Sequence, residues 1–347
     1  MSLLFSDGFD VYGASGVENN TQPVDHWTSA QINAQGGLFV QPGRYTGSDS
    51  LAIMGGDKAT TILRKNLSST LTTGGKLIIG FNFKPNGGSL TQTEISASTS
   101  SSAPSNTKIL RISMSTNNDV WLWNNGSISD STVNLTIGQW YHFEFVLDRS
   151  SNTFACYLDG TSIRDGITFS NDVSWIQIAN YYDAGVPPVS RYHLFDDFYV
   201  LDGNGSSAND RIGSTARIDT LLPSGATSSA DWSGTNASIS GIPADDNTTI
   251  TASASGNTSV FTFTDPQSQN FADANAISIR TRAADTDSAG ATIQPVVNGT
   301  SPVNAGSAFD PGTSFDEFQV YLDTNPETSA KFTPAEINAL ELGFKSN

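Results

Sequence analysis

Apolar and polar residues alternate along much of the first two hundred residues of this chain. Between Lys108 and Ser115, Leu110, Ile112 and Met114 occupy every second position. A period of two places successive side chains on opposite faces of a β-strand, so this pattern predicts strands with one buried face. Further runs with strand character are residues 76–85, 119–124, 174–180 and 193–202. This part of the chain is therefore predicted to be all-β.

The clearest local element is a β-hairpin in residues 138–160. The apolar positions of its first strand are Tyr141, Phe143, Phe145 and Leu147. A polar turn from Asp148 to Asn152 then reverses the chain into a second strand. Cys156 shares a face of that second strand with Phe154 and Leu158, so we expect a buried and unreactive thiol.

The composition changes after Asp202, where GNGSSANDRIGS is typical of a linker. Short apolar runs separated by turn residues follow and predict a second β-sandwich. These runs are residues 217–223, 258–265, 276–285, 291–297 and 316–323. The sequence therefore predicts two domains, residues 1–203 and residues 204–347.

One helix is predicted near the C-terminus, in the segment FTPAEINALELGF. Thr333 is a suitable N-cap, Pro334 suits the first turn, and Glu336 completes a capping box. Ile337 belongs to a partial apolar stripe, and Gly343 is the expected stop signal.

Composition and charge exclude several classes of partner. Only 15% of the residues are charged, while the formal net charge is -17 and the pI is near 4.3. Such an acidic surface repels phosphate groups, so neither nucleic acid nor an anionic membrane surface is an expected partner. Cys156 is the only cysteine, which excludes an intrachain disulfide and a cysteine-based zinc site.

Targeting signals are missing from the pattern as well. The start MSLLFSDGFD has no basic region and only a short apolar run, unlike a signal peptide. No run approaches the roughly 18 apolar residues that a membrane-spanning helix needs. We therefore expect synthesis in a cytoplasm without membrane insertion.

Three segments resemble the LamG/concanavalin-like lectin jelly roll. The hairpin carries Gly138 and Trp140 at its start and Tyr157, Asp159 and Gly160 at its end, similar to that superfamily's Gly-x-Trp and Tyr-x-Asp-Gly pattern. The segments that resemble its opening and closing strands are LLFSDGFDVYG and FDDFYVLDG. The resemblance implies an N-terminal concanavalin-like jelly-roll sandwich, followed by the C-terminal β-sandwich domain with its short C-terminal helix.

A narrower resemblance covers the whole chain. Its start, its centre and its end are similar to virion proteins of tailed bacteriophages that join a lectin-like jelly roll to a C-terminal β-domain. The segments that carry this likeness are MSLLFSDGFDVYG, FDDFYVLDGNGSSANDRIG, RIDTLLPSGATSSADW and DTNPETSAKFTPAEINALELGFKSN. The resemblance implies a component of the virus particle.

Two adjacent aspartates in the closing strand, Asp196 and Asp197, are the first candidate site. Adjacent strand residues point to opposite faces, so they are not expected to flank one substrate as glycosidase carboxylates do. In one interpretation they bind structural calcium together with Asp7 or Asp10 of the opening strand, since hard cations take several oxygen ligands. In the other, one aspartate accepts hydrogen bonds from loop backbone and the other is solvated. No other cofactor is predicted.

Hydrolysis of polysaccharide is a third interpretation, because some relatives of the jelly roll carry closely spaced acidic residues of the Glu-x-Asp-x-x-Glu type on one strand. Glu144 shares a strand face with His142 and Trp140, but no second carboxylate follows at that spacing. The three histidines are scattered and lack metal-ligand spacing. The sequence predicts that the protein is not an enzyme.

Aromatic residues form the second candidate site. Trp121 and Trp123 share a strand face, and rings of this kind stack on sugars, with Asn125 beside them to bind hydroxyl groups. Tyr181 and Tyr182 form a second candidate rim just before the closing strand. The alternative interpretation is that these rings pack in a core or against another subunit, and Trp140 is expected on a neighbouring strand.

These observations predict a non-enzymatic structural protein on the exterior of a tailed-phage virion, made in the cytoplasm of the host bacterium. A tail appendage is slightly favoured over a capsid decoration. Its expected partners are other virion proteins and further copies of itself, as a homo-oligomer, together with host surface glycans. The alternative function is a carbohydrate-binding adhesin that recognises the host through Trp121 and Trp123.

Overall fold

The computed structural model describes residues 2–13, 26–32, 37–54, 61–86, 91–99, 108–113, 119–124, 127–182, 192–242, 244–268, 271–286, 290–298 and 301–347. The chain divides into two compact units, Ser2–Ile218 and Asp219–Asn347. The division therefore falls after Ile218 and not after residue 203, because the segment predicted as a linker packs on the first unit.

The first unit is built from two antiparallel sheets. Sheet A contains β1 (Leu3–Asp7), β3 (Gly37–Pro42), β4 (Asp49–Met54), β6 (Lys76–Asn86), β11 (Tyr141–Asp148), β12 (Thr153–Leu158), β13 (Thr161–Thr168) and β15 (Tyr192–Asp202). Sheet B contains β2 (Ser29–Gln31), β5 (Thr61–Leu71), β7 (Thr91–Ser98), β8 (Lys108–Ser113), β9 (Asp119–Asn124), β10 (Ser127–Asn134) and β14 (Val173–Tyr182).

The order of the strands follows from their pairing. Sheet A runs β13-β12-β11-β6-β15-β4-β3, and β1 pairs with the second half of β15. Sheet B runs β10-β9-β8-β7-β14-β5-β2. The strands that resemble the opening and closing strands of the jelly roll, β1 and β15, are therefore antiparallel neighbours.

An aromatic core fills the space between the two sheets. Phe81 of β6 stacks on Phe143 of β11 and on Phe198 of β15, with ring centroids 5.7 and 5.8 Å apart. Ile95 and Ile178 of sheet B are buried in the same core. The predicted hairpin is confirmed as β11 and β12.

The single thiol is buried as well. Cys156 lies on β12 and has no solvent exposure, as predicted. Burial raises the pKa of this thiol well above its ordinary value, which keeps it protonated and unreactive.

The outer face of sheet A, which points away from this core, is also buried at its centre. Asn82, His142 and Glu144 have side chains there that are at most 1% exposed. Residues 208–218, which we call the strap, cover this face, and Ala208 and Ala216 are themselves buried. The polar groups of sheet A therefore lie in an environment with little water.

The second unit is a smaller sandwich. Its five-stranded sheet has the order β16 (Pro223–Ala230), β17 (Thr258–Phe263), β22 (Glu341–Ser346), β19 (Ile293–Val297) and β20 (Val303–Asn304). Its two-stranded sheet pairs β18 (Ile277–Ala283) with β21 (Asp316–Leu322). Ile279 and Leu322 from the smaller sheet share one core with Val297 and Leu342 from the larger sheet. The first predicted strand of this unit, residues 217–223, is irregular up to Pro223.

The C-terminal helix α1 (Pro334–Asn338) begins where it was predicted and ends earlier. Thr333 Oγ1 accepts a hydrogen bond from Glu336 N, and the Glu336 carboxylate accepts one from Thr333 N, which confirms the capping box. The predicted stop at Gly343 is wrong, because that residue lies in strand β22. Within the described ranges, no helix is long and apolar enough to cross a membrane.

Candidate functional site

The predicted sugar-stacking tryptophans lie near one edge of sheet B. Trp121 and Trp123 are two residues apart on β9 and so occupy the same face of that strand. Trp121 is in register with Arg111 of β8, which in turn faces Glu94 of β7. Asn125 lies outside the described residues.

Two core residues bear on which face of sheet B these tryptophans occupy. Ile95 of β7 lies in the core between the sheets, and Glu94 is its neighbour on the strand, so Glu94 belongs to the opposite face. Trp121 shares the row of Glu94. Ile109, two residues before Arg111 on β8, also lies in the core, and the pairing of β7 with β8 shifts between Ile95 and Ser96. The sugar-binding and core interpretations of the two tryptophans therefore both stay predictions.

The two tyrosines of the second candidate rim occupy the end of β14. Tyr181 pairs with Gln92 and Tyr182 with Thr91 of β7. The two tyrosines are adjacent on the strand, so their positions belong to opposite faces of sheet B. The register thus separates the two tyrosines.

Described residues on the outer face of sheet B, which points away from the core, are polar and well buried. Glu94 is 2% exposed and Gln177 is 6% exposed. The Arg64 Nε donates a hydrogen bond of 3.0 Å to Gln177 Oε1. Trp140, expected beside Trp121, instead directly precedes β11 of sheet A, where Lys84 Nζ lies 5.7 Å from its ring centroid.

The aspartates considered as calcium ligands accept hydrogen bonds from protein groups. Asp7 is 4% exposed. It accepts hydrogen bonds from Phe9 N (2.9 Å), Tyr12 Oη (2.5 Å) and Trp27 Nε1 (2.7 Å). Asp10 Oδ1 accepts one from the backbone N–H of Asp49. These bonds tie the opening strand to the segments around it.

Asp196 and Asp197 do not point to opposite faces, so that prediction is wrong. Asp197 has a positive φ of 49°, and the pairing of β15 with β6 shifts between Asp196 and Tyr199. This β-bulge inserts one extra residue and interrupts the alternation. Phe195 and Phe198 on either side both enter the core, while both aspartates lie between them and are 1% exposed.

Both aspartates are engaged by protein donors, and neither is solvated. Asp196 Oδ2 accepts from Arg44 N, and Asp197 Oδ1 accepts from Ile218 N of the strap. Burial raises the pKa of Asp196, and it raises that of Asp197 to about 6. Among the described residues, no group of three or more His, Cys, Asp or Glu side chains could hold a metal ion. Calcium binding stays a prediction.

The Glu144 carboxylate is the centre of a buried hydrogen-bond network. Its Oε1 accepts from Tyr199 Oη (2.7 Å) and from two consecutive strap amides, Ile212 N (2.8 Å) and Gly213 N (3.0 Å). Its Oε2 lies 3.4 Å from Arg211 Nη1, whose guanidinium also stacks on the ring of Tyr157. Glu144 is fully buried, so this carboxylate fastens the strap to sheet A.

Gly80 makes this contact across the sheet possible. Glu144 of β11, Gly80 of β6 and Tyr199 of β15 form one row of directly paired residues. A Cβ atom at position 80 would lie only 2.0 Å from Cζ of Tyr199. The tyrosine ring therefore crosses β6 over the glycine, which is a close approach that only glycine permits.

A second row of the same face holds His142. Its Nδ1 lies 2.9 Å from Asn82 Oδ1, and its Nε2 lies 3.3 Å from Tyr199 Oη. Asn82 also donates to Asp197 and accepts from Arg44 Nη1. Since Asn82 Oδ1 is an acceptor in this arrangement, His142 Nδ1 carries a proton. The network thus joins Glu144 to Asp197 through neutral and charged partners.

This network was only partly visible in the sequence. The sequence indicates Glu144 as a candidate catalytic acid and His142 as its neighbour on the strand face. It does not indicate their partners Asn82 and Tyr199. Gly80, a glycine within an apolar strand run, was the one local signal of a close approach. Residues 208–214 of the strap were predicted to belong to a linker, because their composition is that of a loop.

The pH dependence of stability should report on His142. Burial is the main cause that lowers its pKa to about 4, Arg44 adds to the effect, and Glu144 and Asp159 oppose it. The unfolded chain takes up this proton below about pH 6.5 and the folded chain only near 4, so acidification across that window removes roughly 2–3 kcal/mol of stability.

We expect the His142→Asn substitution to reduce this loss, because the asparagine amide can donate to Asn82 without titrating. Chemical denaturation of both proteins at pH 7 and pH 4.5 measures the difference. Asp197, whose raised pKa acts in the opposite direction, is present in both proteins and cancels in the comparison. Equal losses of stability in the two proteins would contradict the assignment.

The sheets and their strand order define the fold class. Two antiparallel sheets packed face to face, with the opening and closing strands paired within one of them, make the first unit a concanavalin-like jelly-roll sandwich. A second β-sandwich with a short C-terminal helix follows it, so the predicted fold class is confirmed.

Comparison with known proteins gives similarities of fold. No family model matches the sequence, and no curated protein matches it. A sialidase matches 50% of this chain and only 16% of its own, with 10% identity and a TM-score of 0.38. An endo-1,3-beta-glucanase from Streptomyces sioyaensis matches 58% of this chain and 96% of its own, with 13% identity and a TM-score of 0.38. Lectin II from Ulex europaeus matches 58% of this chain and 99% of its own, with 14% identity and a TM-score of 0.35.

Proposed function

We propose that this protein is a non-enzymatic structural protein on the exterior of a tailed-phage virion, and that its jelly roll contacts host glycans through the outer face of sheet B. The virion assignment rests on the resemblance that extends along the whole sequence. The glycan contact rests on Trp121 and Trp123, which are two residues apart on β9 and so share one face of that strand. Aromatic rings on such a face suit the apolar faces of sugar rings.

The state of Glu144 supports a role without catalysis. A general acid or nucleophile must reach the substrate, either directly or through a water molecule. Glu144 has no solvent exposure, and its Oε1 already accepts three hydrogen bonds, from Tyr199, Ile212 and Gly213. Its contacts serve to hold the strap. Reducing-sugar release from host polysaccharide that is lost in a Glu144→Gln variant would overturn this part of the proposal.

The glycan contact is tested by replacing both tryptophans. We expect Trp121→Ala combined with Trp123→Ala to weaken glycan binding at least tenfold, because each lost stacking contact costs on the order of 1 kcal/mol and the two act together. Glycan-array screening followed by calorimetry of the best ligand measures this effect. The matched control is Trp140→Ala, directly before β11 of sheet A, which should bind as the wild type does.

Two results would contradict the glycan contact. One is a double variant that folds normally and keeps wild-type affinity. The other is a wild-type protein that binds no glycan of the host surface, in which case the outer face of sheet B is a contact with another virion subunit. A double variant that precipitates instead would indicate that the tryptophans are packed against other residues.

Localisation is tested on intact particles. Immunogold electron microscopy with antibody against the recombinant protein should label the outside of the virion, and we expect label on the tail. Label distributed over the head would identify a capsid decoration. Absence of label from all particles would remove the virion assignment and leave the jelly-roll fold.

We also propose that the protein acts as a homo-oligomer, because repetition on a symmetric particle strengthens weak glycan contacts through multivalency.

A further inference from the structure

Three buried polar atoms on the inward faces of the two sheets of the first unit have no hydrogen-bond partner among the residues that the structure describes. They are Thr93 Oγ1, Asn180 Oδ1 and His193 Nε2. All three residues have no solvent exposure. Because buried polar groups are almost always paired, a group of such atoms indicates a missing partner.

The strand register brings these atoms together from both sheets. Thr93 of β7 lies directly opposite Asn180 of β14, and both belong to the inward face of sheet B, two residues from Ile95 and Ile178. Asn180 Nδ2 donates a hydrogen bond of 2.5 Å to the carbonyl oxygen of Ile53 in sheet A. This contact crosses the interior between the sheets.

His193 approaches the same place from sheet A. It is directly opposite Ile53 in the pairing of β15 with β4, so it neighbours the residue that Asn180 contacts. Its ring lies in the interior, with its centroid 5.2 Å from that of Phe83. The three partnerless atoms therefore converge at one end of the sandwich core.

The hydrogen-bonding character of each atom is fixed by its other contacts. His193 Nδ1 accepts from Asn86 N at 3.4 Å, so the proton of the neutral ring is on Nε2, which is a donor. Asn180 Nδ2 is committed to the Ile53 carbonyl, so Oδ1 is an acceptor. The Thr93 hydroxyl can donate or accept. Burial lowers the pKa of His193 to about 3, which keeps the ring neutral near neutral pH.

We propose that Thr93 Oγ1, Asn180 Oδ1 and His193 Nε2 bind one water molecule that joins the two sheets. A water molecule can accept from His193, donate to Asn180 and satisfy the Thr93 hydroxyl in either role. It is typical of buried waters to make about three such bonds to otherwise unsatisfied groups. A cation does not fit, because an imidazole N–H points toward the site and none of the three side chains is charged.

Thr93→Val distinguishes a bound water from an unoccupied space. If the water is present, the substitution deletes one of its partners, and we expect the melting temperature of the first unit to fall by about 2–4 °C. If no water is bound, the Thr93 hydroxyl makes no hydrogen bond that the substitution could remove, and valine only replaces an unpaired buried polar atom. An unchanged or raised melting temperature would overturn the proposal.

The matched control is Thr281→Val in the second unit. The buried Thr281 Oγ1 also lacks a partner, but no other such atom of the described second unit accompanies it. Valine there should leave the melting temperature unchanged or raise it. An equal fall in melting temperature for Thr281→Val and Thr93→Val would mean that valine destabilises either strand in the same way. The effect at Thr93 would then not report a bound water molecule.

The site is also visible directly. A crystal structure of the wild-type protein at about 1.2 Å resolution should show one ordered solvent peak within hydrogen-bond distance of all three atoms. The same peak should be weakened or absent in the Thr93→Val variant. Well-defined density for the three side chains without any solvent peak between them would overturn the proposal independently of the melting experiment.

Discussion

Replacing Glu144 with alanine is expected to destabilise the first unit by about 3–5 kcal/mol and to detach the strap. The substitution leaves the amides of Ile212 and Gly213 and the buried Tyr199 hydroxyl without their acceptor. It also removes the charge partner of Arg211. Several unsatisfied groups in one buried place cost more than any single contact contributes.

Hydrogen exchange and proteolysis measure the two consequences separately. The amides of Ile212 and Gly213 should exchange much faster in the variant, and trypsin should cut after Arg211 or Arg217 under conditions in which it spares the wild type. Asp165→Ala is the matched control, because Asp165 is an exposed acid on β13 of the same sheet. That variant should keep wild-type exchange in the strap.

Glu144→Gln separates the hydrogen bonds from the charge. Glutamine retains one carbonyl oxygen for the strap amides but presents an NH₂ group toward Arg211, so we expect an intermediate loss of stability. Protection of the strap that persists in both Glu144 variants would show that the strap is held by its packed residues, such as Ala208 and Ala216, and not by the carboxylate.

The sandwich itself could be predicted from the sequence because its signals are local. The alternation in β11, the polar turn and the second strand of the hairpin are all encoded within residues 141–158. The same rule failed at Asp197, where a bulge with positive φ interrupts the alternation. A bulge changes which face every later residue occupies, and the composition of β15 does not reveal it.

The candidate sites show the same division between local and non-local information. That Trp121 and Trp123 share a face follows from their spacing, but which face they share depends on how β9 pairs through β8 with β7, which their spacing does not encode. The partners of Glu144 come from β15 and from the strap, more than fifty residues away along the chain. Sequence spacing alone could not bring these groups together.

Gly343 is the most instructive error at the C-terminus. The residue follows the short helix and has the character of a helix stop, which is how the sequence was interpreted. It is instead paired with Val260 of β17 on one side and with Val296 of β19 on the other, in the middle of the five-stranded sheet. The local helix-stop signal of Gly343 was overridden by strand pairing with residues that are far away in the sequence.

Replacing Gly343 with alanine is expected to destabilise the second unit by at least about 3 kcal/mol. A Cβ atom at this position would lie 1.9 Å from the carbonyl oxygen of Ser259 and 2.6 Å from Cα of Val260. Both are backbone atoms of the neighbouring strand, so no side-chain rotation can relieve the overlap and the strands must separate. The glycine therefore permits the close approach of β17 and β22.

Hydrogen exchange again gives the most specific measurement. Amides of β17, β19 and β22 should lose protection in Gly343→Ala, whereas those of β11 and β12 in the first unit should not. Gly225→Ala is the matched control, because Gly225 lies on β16, the edge strand of the same sheet. Its added Cβ would meet only the Thr262 hydroxyl of β17, at 3.0 Å. If Gly343→Ala were as stable as this control, the close approach of β17 and β22 at this position would be contradicted.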